Sequence, residues 1–338
     1  MMEKVECSLQ LIRKGREAMK VLVNYELSEK LKRKILEEAP QDVNIVFSTD
    51  ERKILEEVRD ADAVFGLLTP EMLKTANRLR WNQTPMAGLE RYIPKIPEIV
   101  ERDIIVTNVA GIYNEEIATH VFALITAFSR DLPTLIRQQD KKIWNVKNVR
   151  IVPLLGKTLG IIGLGGIGTE VARRGAAFGM KVIAIRAHPE KGKPPYVEKL
   201  WGPEGLDNLL EESDFVVICT PHTPETEKMI KARELKIMKR TAFLINVGRG
   251  AVVDLSDLTE ALRRGEIAGA GLDVFEEEPL PPNHLLWEMK NVIITPHVAA
   301  RGLSSLYEER RVNIFLENLK RFVSGRPLIN VVDKRMWH

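Results

Sequence analysis

Three glycines, Gly163, Gly165 and Gly168, stand in the spacing Gly-x-Gly-x-x-Gly within Lys157–Gly179, KTLGIIGLGGIGTEVARRGAAFG. That spacing suits a pyrophosphate: Gly163 permits a tight turn, Gly165 lets backbone approach phosphate, and Gly168 lets a helix pack against a strand. The chemistry needs a strand before the glycines and a helix after them, so that free N–H groups and the positive end of the helix dipole meet the phosphates. Both are legible. Leu159–Ile162 is short and wholly apolar, as in a strand buried on both faces. From Ile167 the residues Val171, Ala172 and Phe178 recur at helical spacing with Glu170, Arg173 and Arg174 between them, and Gly179 is placed to end the helix.

Further reactive residues follow other apolar runs: Arg186, Thr220-Pro221, Gly248-Arg249-Gly250, Asp273 and His297. Singly, each has an ordinary explanation: a solvated arginine, a capping aspartate, a structural histidine. Each falls at the carboxyl end of an expected strand, however, and open parallel sheets bind ligands along that edge. Convergence beside a phosphate loop makes them one candidate site.

Those residues must be positioned by alternating strands and helices, which imply parallel sheets. The first series runs strand Val21–Val23, helix Ser28–Ala39, strand Val43–Phe47, helix Glu51–Val58, strand Ala63–Gly66, helix Pro70–Ala76, then strands Trp81–Gln83 and Val106–Val109. A long helical pattern from Asn114 to Ile136, stopped near Pro133 or continuing past it, can bridge two domains. The second series has strands Leu159–Ile162, Lys181–Ile185, Phe215–Cys219, Ala242–Val247, Ile267–Leu272 and Val292–Thr295. The helical segment Leu303–Val323 then returns to the first domain, so the second domain lies inside the first: residues 1–118 with 302–338, and 119–301. Residues 1–18 read as an extension.

The 338 residues and 44% hydrophobic content suffice for two cores. A net charge of +3 argues against a nucleic-acid protein. With two cysteines, Cys7 and Cys219, no Cys-x-x-Cys, no long apolar span and no signal peptide, the expectation is a cytoplasmic chain without metal or membrane partner, Cys219 being a buried thiol.

From about Met19 onward the chain resembles the D-isomer-specific 2-hydroxyacid dehydrogenases, a family that includes phosphoglycerate dehydrogenase and glyoxylate/hydroxypyruvate reductase. The resemblance is carried by the glycine fingerprint, Thr223-Pro224-Glu225-Thr226, Asn246-Val247-Gly248-Arg249-Gly250, Gly271-Leu272-Asp273-Val274-Phe275-Glu276-Glu277-Glu278-Pro279 and Thr295-Pro296-His297. It implies an α/β fold of two doubly wound parallel-sheet domains, a Rossmann cofactor domain inserted into a flavodoxin-like substrate domain. It implies Arg249, Glu278 and His297 as the catalytic set. Reducing a 2-oxo acid needs hydride at C2 and a proton for the oxygen, and a histidine titrates in the range that can deliver that proton. Glu278 beside it would stabilise the imidazolium and fix its tautomer. Arg249 would offer a forked donor to the substrate carboxylate and carbonyl, and the backbone at Ala87 and Gly88 would hold the carboxylate.

The resemblance places the cofactor at Gly163, Gly165, Gly166, Ile167 and Gly168, at Arg186, at Thr220 and Pro221, at Val247, Gly248 and Arg249, and at Asp273 and His297, with Asp273 taking the nicotinamide carboxamide. It also implies a homodimer joined along helices such as Asn114–Ile136. The sequence departs from the family pattern at Glu90, Thr119, Val298-Ala299-Ala300 and Arg186, where an NAD enzyme carries aspartate. NADP is therefore the expected cofactor, with NAD as the second option. Substrate choice would be set by Leu67–Thr69, Pro85–Leu89 and Trp287, the last in the cleft, at the dimer side or in the core. Of the other histidines, His120 reads as a packing or hinge residue, His222 as cleft lining or bland, and His188, His284 and His338 as surface. The alternative class is a dinucleotide-sensing interaction protein of the C-terminal binding protein type on the same fold; the absence of a long disordered tail favours the enzyme.

Overall fold

The computed structural model describes residues 18–89, 92–301 and 304–335. Residues 1–17 of the expected extension, Cys7, Glu90 and His338 lie outside the described residues. Two compact units separate: residues 18–112 with 304–335, and residues 113–301.

In the first unit β1 (Met19–Val23), α1 (Glu29–Glu38), β2 (Val43–Phe47), α2 (Glu51–Glu57), β3 (Ala63–Phe65), α3 (Pro70–Thr75), β4 (Trp81–Gln83), α4 (Glu98–Glu101) and β5 (Ile105–Thr107) alternate. Their sheet is parallel, in the order β2-β1-β3-β4-β5, a flavodoxin-like arrangement. Helix starts follow capping chemistry. Asp50 accepts the Lys53 N–H ahead of α2, and Thr69 accepts the Met72 N–H ahead of α3, whose first residue is Pro70.

The second unit holds α5 (Asn114–Ser129), α6 (Leu132–Asp140), β6 (Thr158–Ile162), α7 (Gly166–Ala177), β7 (Lys181–Ile185), β8 (Lys199–Trp201), α8 (Leu206–Glu212), β9 (Phe215–Ile218), α9 (Ala232–Ile237), β10 (Phe243–Asn246), α10 (Leu255–Arg264), β11 (Gly269–Leu272) and β12 (Val292–Ile294). Its parallel sheet runs β12-β11-β10-β9-β6-β7-β8. Counted from β6 that is the doubly wound order 3-2-1-4-5-6 with one strand added. Apolar clusters cover both faces, one around Ile218 and Leu244, the other around Val217 and Ile245. Alternate residues of β9 and β10 thus point to opposite faces.

The last helix, α11 (Ser304–Val323), belongs to the first unit, where Phe315 stacks on Phe65 at 4.4 Å and lies 5.8 Å from Trp81. Among the described residues no helix is long and apolar enough to cross a membrane.

Two details differ from the sequence reading. The division falls after Ile112 rather than at residue 118, because α5 packs as one piece: Ile117, Ala118 and Val121 share a core with Leu159 and Val171. The long helical pattern from Asn114 stops near Pro133, one of its two expected courses: Asp131 takes a left-handed φ of 50°, its carboxylate accepts the Arg150 N–H, and α6 starts afresh with Pro133 in its first turn. The short edge strand β8 was not expected, since three residues carry too little periodicity to register.

Asp214 joins β6 to β9. Its carboxylate accepts the Thr158 N–H at 3.0 Å and lies 3.5 Å from Lys157 and 3.4 Å from Lys239. Burial works against its charge, but the Thr158 N–H and the two lysines prevail and hold the carboxyl below its ordinary value. A group so lowered stabilises the fold above the ordinary carboxylate range and loses that contribution as pH falls through its folded value. Asp214→Asn is expected to cost about 1 kcal/mol at neutral pH. The difference from the parent in urea titrations should shrink as pH falls below the ordinary carboxylate range; a difference independent of pH would refute the charge argument.

Candidate functional site

The phosphate loop leaves β6 at Gly163, whose φ of 99° suits glycine, and the N–H groups of Gly163 and Leu164 both bond the Ile185 carbonyl at the end of β7. A Cβ on Gly163 would sit 2.9 Å from the Thr220 nitrogen, and one on Gly168 would sit 2.2 Å from the Gly163 carbonyl oxygen. At Gly165, by contrast, a Cβ would meet nothing within 4 Å. Gly165 caps α7, no side chain caps its first turn, and Gly166 and Ile167 open the helix. These glycines therefore do three jobs: turning the chain, seating the helix on the strand, and leaving an open cradle of N–H donors at a dipole's positive end. The cradle sits between β6 and β9, where the strand order reverses, and this is where a dinucleotide pyrophosphate fits.

Thr220 and Pro221 follow β9. A Cβ on Gly248 would lie 2.6 Å from the Thr220 carbonyl oxygen, so Gly248 permits the loops after β9 and β10 to touch. Asn246 ties the second loop together: its Oδ1 accepts the Gly248 N–H and its Nδ2 donates to the Arg249 carbonyl. Val247 is buried there, and the Arg249 guanidinium donates to the Gly248 carbonyl at 2.9 Å. Gly250 packs so closely on the Phe275 backbone that a Cβ would fall 1.9 Å from its carbonyl carbon.

After β7, the Arg186 guanidinium donates to the Gly192 carbonyl at 3.0 Å, closing the loop 186–192 on itself. Lys193 turns its ammonium onto the Val197 carbonyl, while Lys191 stays exposed.

His297 Nδ1 lies 2.9 Å from Glu278 Oε2, and Glu278 Oε1 accepts the Phe275 N–H at 3.2 Å. The imidazole side chain is 49% exposed against 16% for Glu278. With Nδ1 held by the carboxylate, Nε2 is the nitrogen left to exchange a proton. His297 also takes a φ of 53°, a left-handed conformation rare outside glycine. The buried Asp273 carboxylate sustains it, accepting the Thr295 hydroxyl at 2.6 Å, the Val298 N–H at 2.9 Å and the Ala299 N–H at 3.0 Å, while its backbone carbonyl takes the His297 N–H at 2.9 Å. Three bonds to the Asp273 carboxylate leave acceptor capacity for one more donor such as a carboxamide.

In the first unit Ala87 and Gly88 are half-buried after β4. The Ala87 carbonyl accepts from Asn108 Nδ2 at 2.7 Å, and the Met86 carbonyl takes the Val109 N–H at 3.1 Å.

The structure also places the other residues weighed in the sequence. His120 Nε2 lies 3.0 Å from Thr295 Oγ1, so it touches the His297 turn rather than only packing. His284 caps the turn Leu285–Glu288 through the Leu286 N–H instead of lying idle on the surface. Trp287 is no core residue: it is half exposed and donates to the Pro281 carbonyl. Cys219 is partly buried, with burial pushing its thiol up to about 12. Asn246, Asn108 and Thr295 carried no chemical signal beyond their place in or near a motif. Among the described residues no group of three or more His, Cys, Asp or Glu could hold a metal ion.

Residues 122–299 match the family model described as "D-isomer specific 2-hydroxyacid dehydrogenase, NAD binding domain". The chain is 39% identical over 299 residues to a glyoxylate reductase of Aeropyrum pernix, covering 84% of this chain and 86% of that one. It is 38% identical to a glyoxylate reductase of Thermococcus litoralis, with 83% and 86% covered. Similar solved structures include a D-isomer specific 2-hydroxyacid dehydrogenase from Xanthobacter autotrophicus in complex with NADPH and MES, with TM-score 0.78, 27% identity and 95% and 99% of the two chains covered. Another is an NADPH-dependent glyoxylate/hydroxypyruvate reductase from Sinorhizobium meliloti in complex with NADP and sulfate, with TM-score 0.76, 26% identity and 95% and 100% covered.

Proposed function

The chain belongs to the D-isomer-specific 2-hydroxyacid dehydrogenase family, and from that premise we propose that it reduces glyoxylate and hydroxypyruvate, with NADPH as the preferred hydride source. It is an oxidoreductase of the NAD(P)-dependent class acting on a 2-oxo acid. The observation that carries the catalytic reading is the 2.9 Å contact between His297 Nδ1 and Glu278 Oε2. A bound nicotinamide supplies hydride to the substrate C2. His297 gives the proton from Nε2 to the carbonyl oxygen, and Glu278 stabilises the imidazolium before transfer. Arg249 binds carboxylate and carbonyl through its fork, and the backbone N–H groups at Ala87 and Gly88 are further donors for a carboxylate. Asp273 accepts the carboxamide. Relatives named as glyoxylate reductases support the substrate class, and the interaction-protein alternative is not favoured.

An initial-rate panel of glyoxylate, hydroxypyruvate, pyruvate, phenylpyruvate and 2-oxohexanoate with each cofactor tests the reading. Highest kcat/KM for one of the two short polar substrates is expected; dinucleotide binding without turnover on any of them would overturn it.

The working form in this proposal is a homodimer. The apolar residues of α5 are spent inside their own unit, since Ile117, Val121, Leu124 and Ile125 are buried. Beyond the break at Asp131 large apolar side chains stay exposed, among them Ile136, Ile143 and Trp144, the last at 98%. Exposed apolar side chains of this size are what a second copy would cover. Light scattering at micromolar concentration should return twice the chain mass; a monomer would refute the dimer. A reductase drawing on NADPH works where that pool is kept, which for this proposal is the cytoplasm.

A further inference from the structure

We propose that His120 is a positioning residue for the proton donor: acting through Thr295 and Asp273, it holds the turn that carries His297. The proposal rests on the reading of His297 given above. His120 lies on α5, far in sequence from the Thr-Pro-His motif, and its side chain is 19% exposed. Its Nε2 is 3.0 Å from Thr295 Oγ1 and 3.6 Å from Asp273 Oδ1.

The direction of these bonds follows from proton counting. The Thr295 hydroxyl has one proton, and its 2.6 Å contact to the Asp273 carboxylate commits that proton. The Thr295 oxygen must therefore accept at its other contact, and His120 donates through Nε2–H. A chain of donors results: His120 to Thr295, Thr295 to Asp273, with the Val298 and Ala299 N–H groups converging on the same carboxylate.

This chain encloses a strained residue. His297 keeps its left-handed φ of 53° only while the surrounding bonds over-determine it, and its N–H donates to both the Asp273 and the Thr295 carbonyls, at 2.9 and 3.0 Å. Without the His120 donor, the Thr295 hydroxyl is held by the Asp273 carboxylate alone. The turn then loses the restraint that aims the imidazole at Glu278. Catalysis is sensitive to such misplacement even when binding is not.

The test uses the full chain with NADPH and glyoxylate. His120→Phe removes the donor and keeps a ring; His120→Gln keeps a side-chain N–H; Thr295→Val removes the relay. His120→Phe is expected to lower kcat about tenfold while glyoxylate KM and NADPH Kd hold, and His120→Gln should recover most of the loss. If His120 acts through Thr295, adding His120→Phe to Thr295→Val costs nothing further. An unchanged kcat in His120→Phe overturns the proposal, as does equal loss in both His120 variants with a lowered Tm, or full additivity with Thr295→Val. A His297→Ala protein that retained the parent rate would instead remove the underlying reading of His297; an inactive His297→Ala beside an unaffected His120→Phe would sink the positioning role alone.

Discussion

Replacing His297 with alanine is expected to lower the rate of 2-oxo acid reduction by a factor of about 100 to 10,000, the usual range for loss of a positioned general acid. The size follows from what the residue is asked to do. Hydride arriving at C2 leaves charge on the oxygen, and in the proposed mechanism Nε2 of His297 is the proton source, since Nδ1 is taken by Glu278 at 2.9 Å. Removing the imidazole leaves the cradle at Gly163, Gly165 and Gly168 untouched, so NADPH affinity by fluorescence titration should stay nearly the same. A rate within threefold of the parent, or a lost affinity matching the lost rate, would contradict the assignment. Glu278→Gln gives the companion result. The amide no longer offers Nδ1–H a charged acceptor, so the imidazole loses its aim and kcat should fall about tenfold or more with NADPH affinity kept. A kcat equal to the parent's would take Glu278 out of the mechanism.

The second large effect concerns the cofactor. In an NAD enzyme of this fold a carboxylate at the end of the second strand accepts the ribose hydroxyls and repels a 2′-phosphate. Here β7 ends Ile185-Arg186, and the nearest acid downstream, Glu190, lies 3.2 Å from His188. Arg186 bonds the Gly192 carbonyl through one of its guanidinium nitrogens, and a guanidinium carries five N–H donors, enough to meet a phosphate as well. Lys193 is turned onto the Val197 carbonyl, while Lys191 is exposed in the loop and adds positive potential. NADPH should be preferred over NADH by about tenfold or more in kcat/KM, a difference of about 1.4 kcal/mol, and Arg186→Asp should reverse the order. Equal efficiency of the parent with both cofactors would defeat the claim.

Much of this was legible in the residues because it rests on local chemistry. Gly163 needs a positive φ, Gly168 needs to approach the Gly163 carbonyl, and the apolar runs before Gly163, Arg186, Thr220, Gly248 and Asp273 are short enough to be strands buried on both faces. Periodicity and glycine chemistry are properties of contiguous residues, so the alternating order, the parallel sheets and the strand ends could be read before any contact was known. The resemblance likewise named Glu278 and His297 as a pair.

Other features depended on contacts between residues far apart in the chain. Nothing in the helical pattern from Asn114 says that His120 meets Thr295, 175 residues away. The left-handed φ of His297 is the clearest case: intrinsic preference opposes it, and only the converging bonds to Asp273 keep it. The sequence by itself determined which groups could do the chemistry and which strands carry them, because those follow from local composition and spacing. How His297, the proposed proton donor, is held came only from the folded chain, because that depends on hydrogen bonds closed across distant segments.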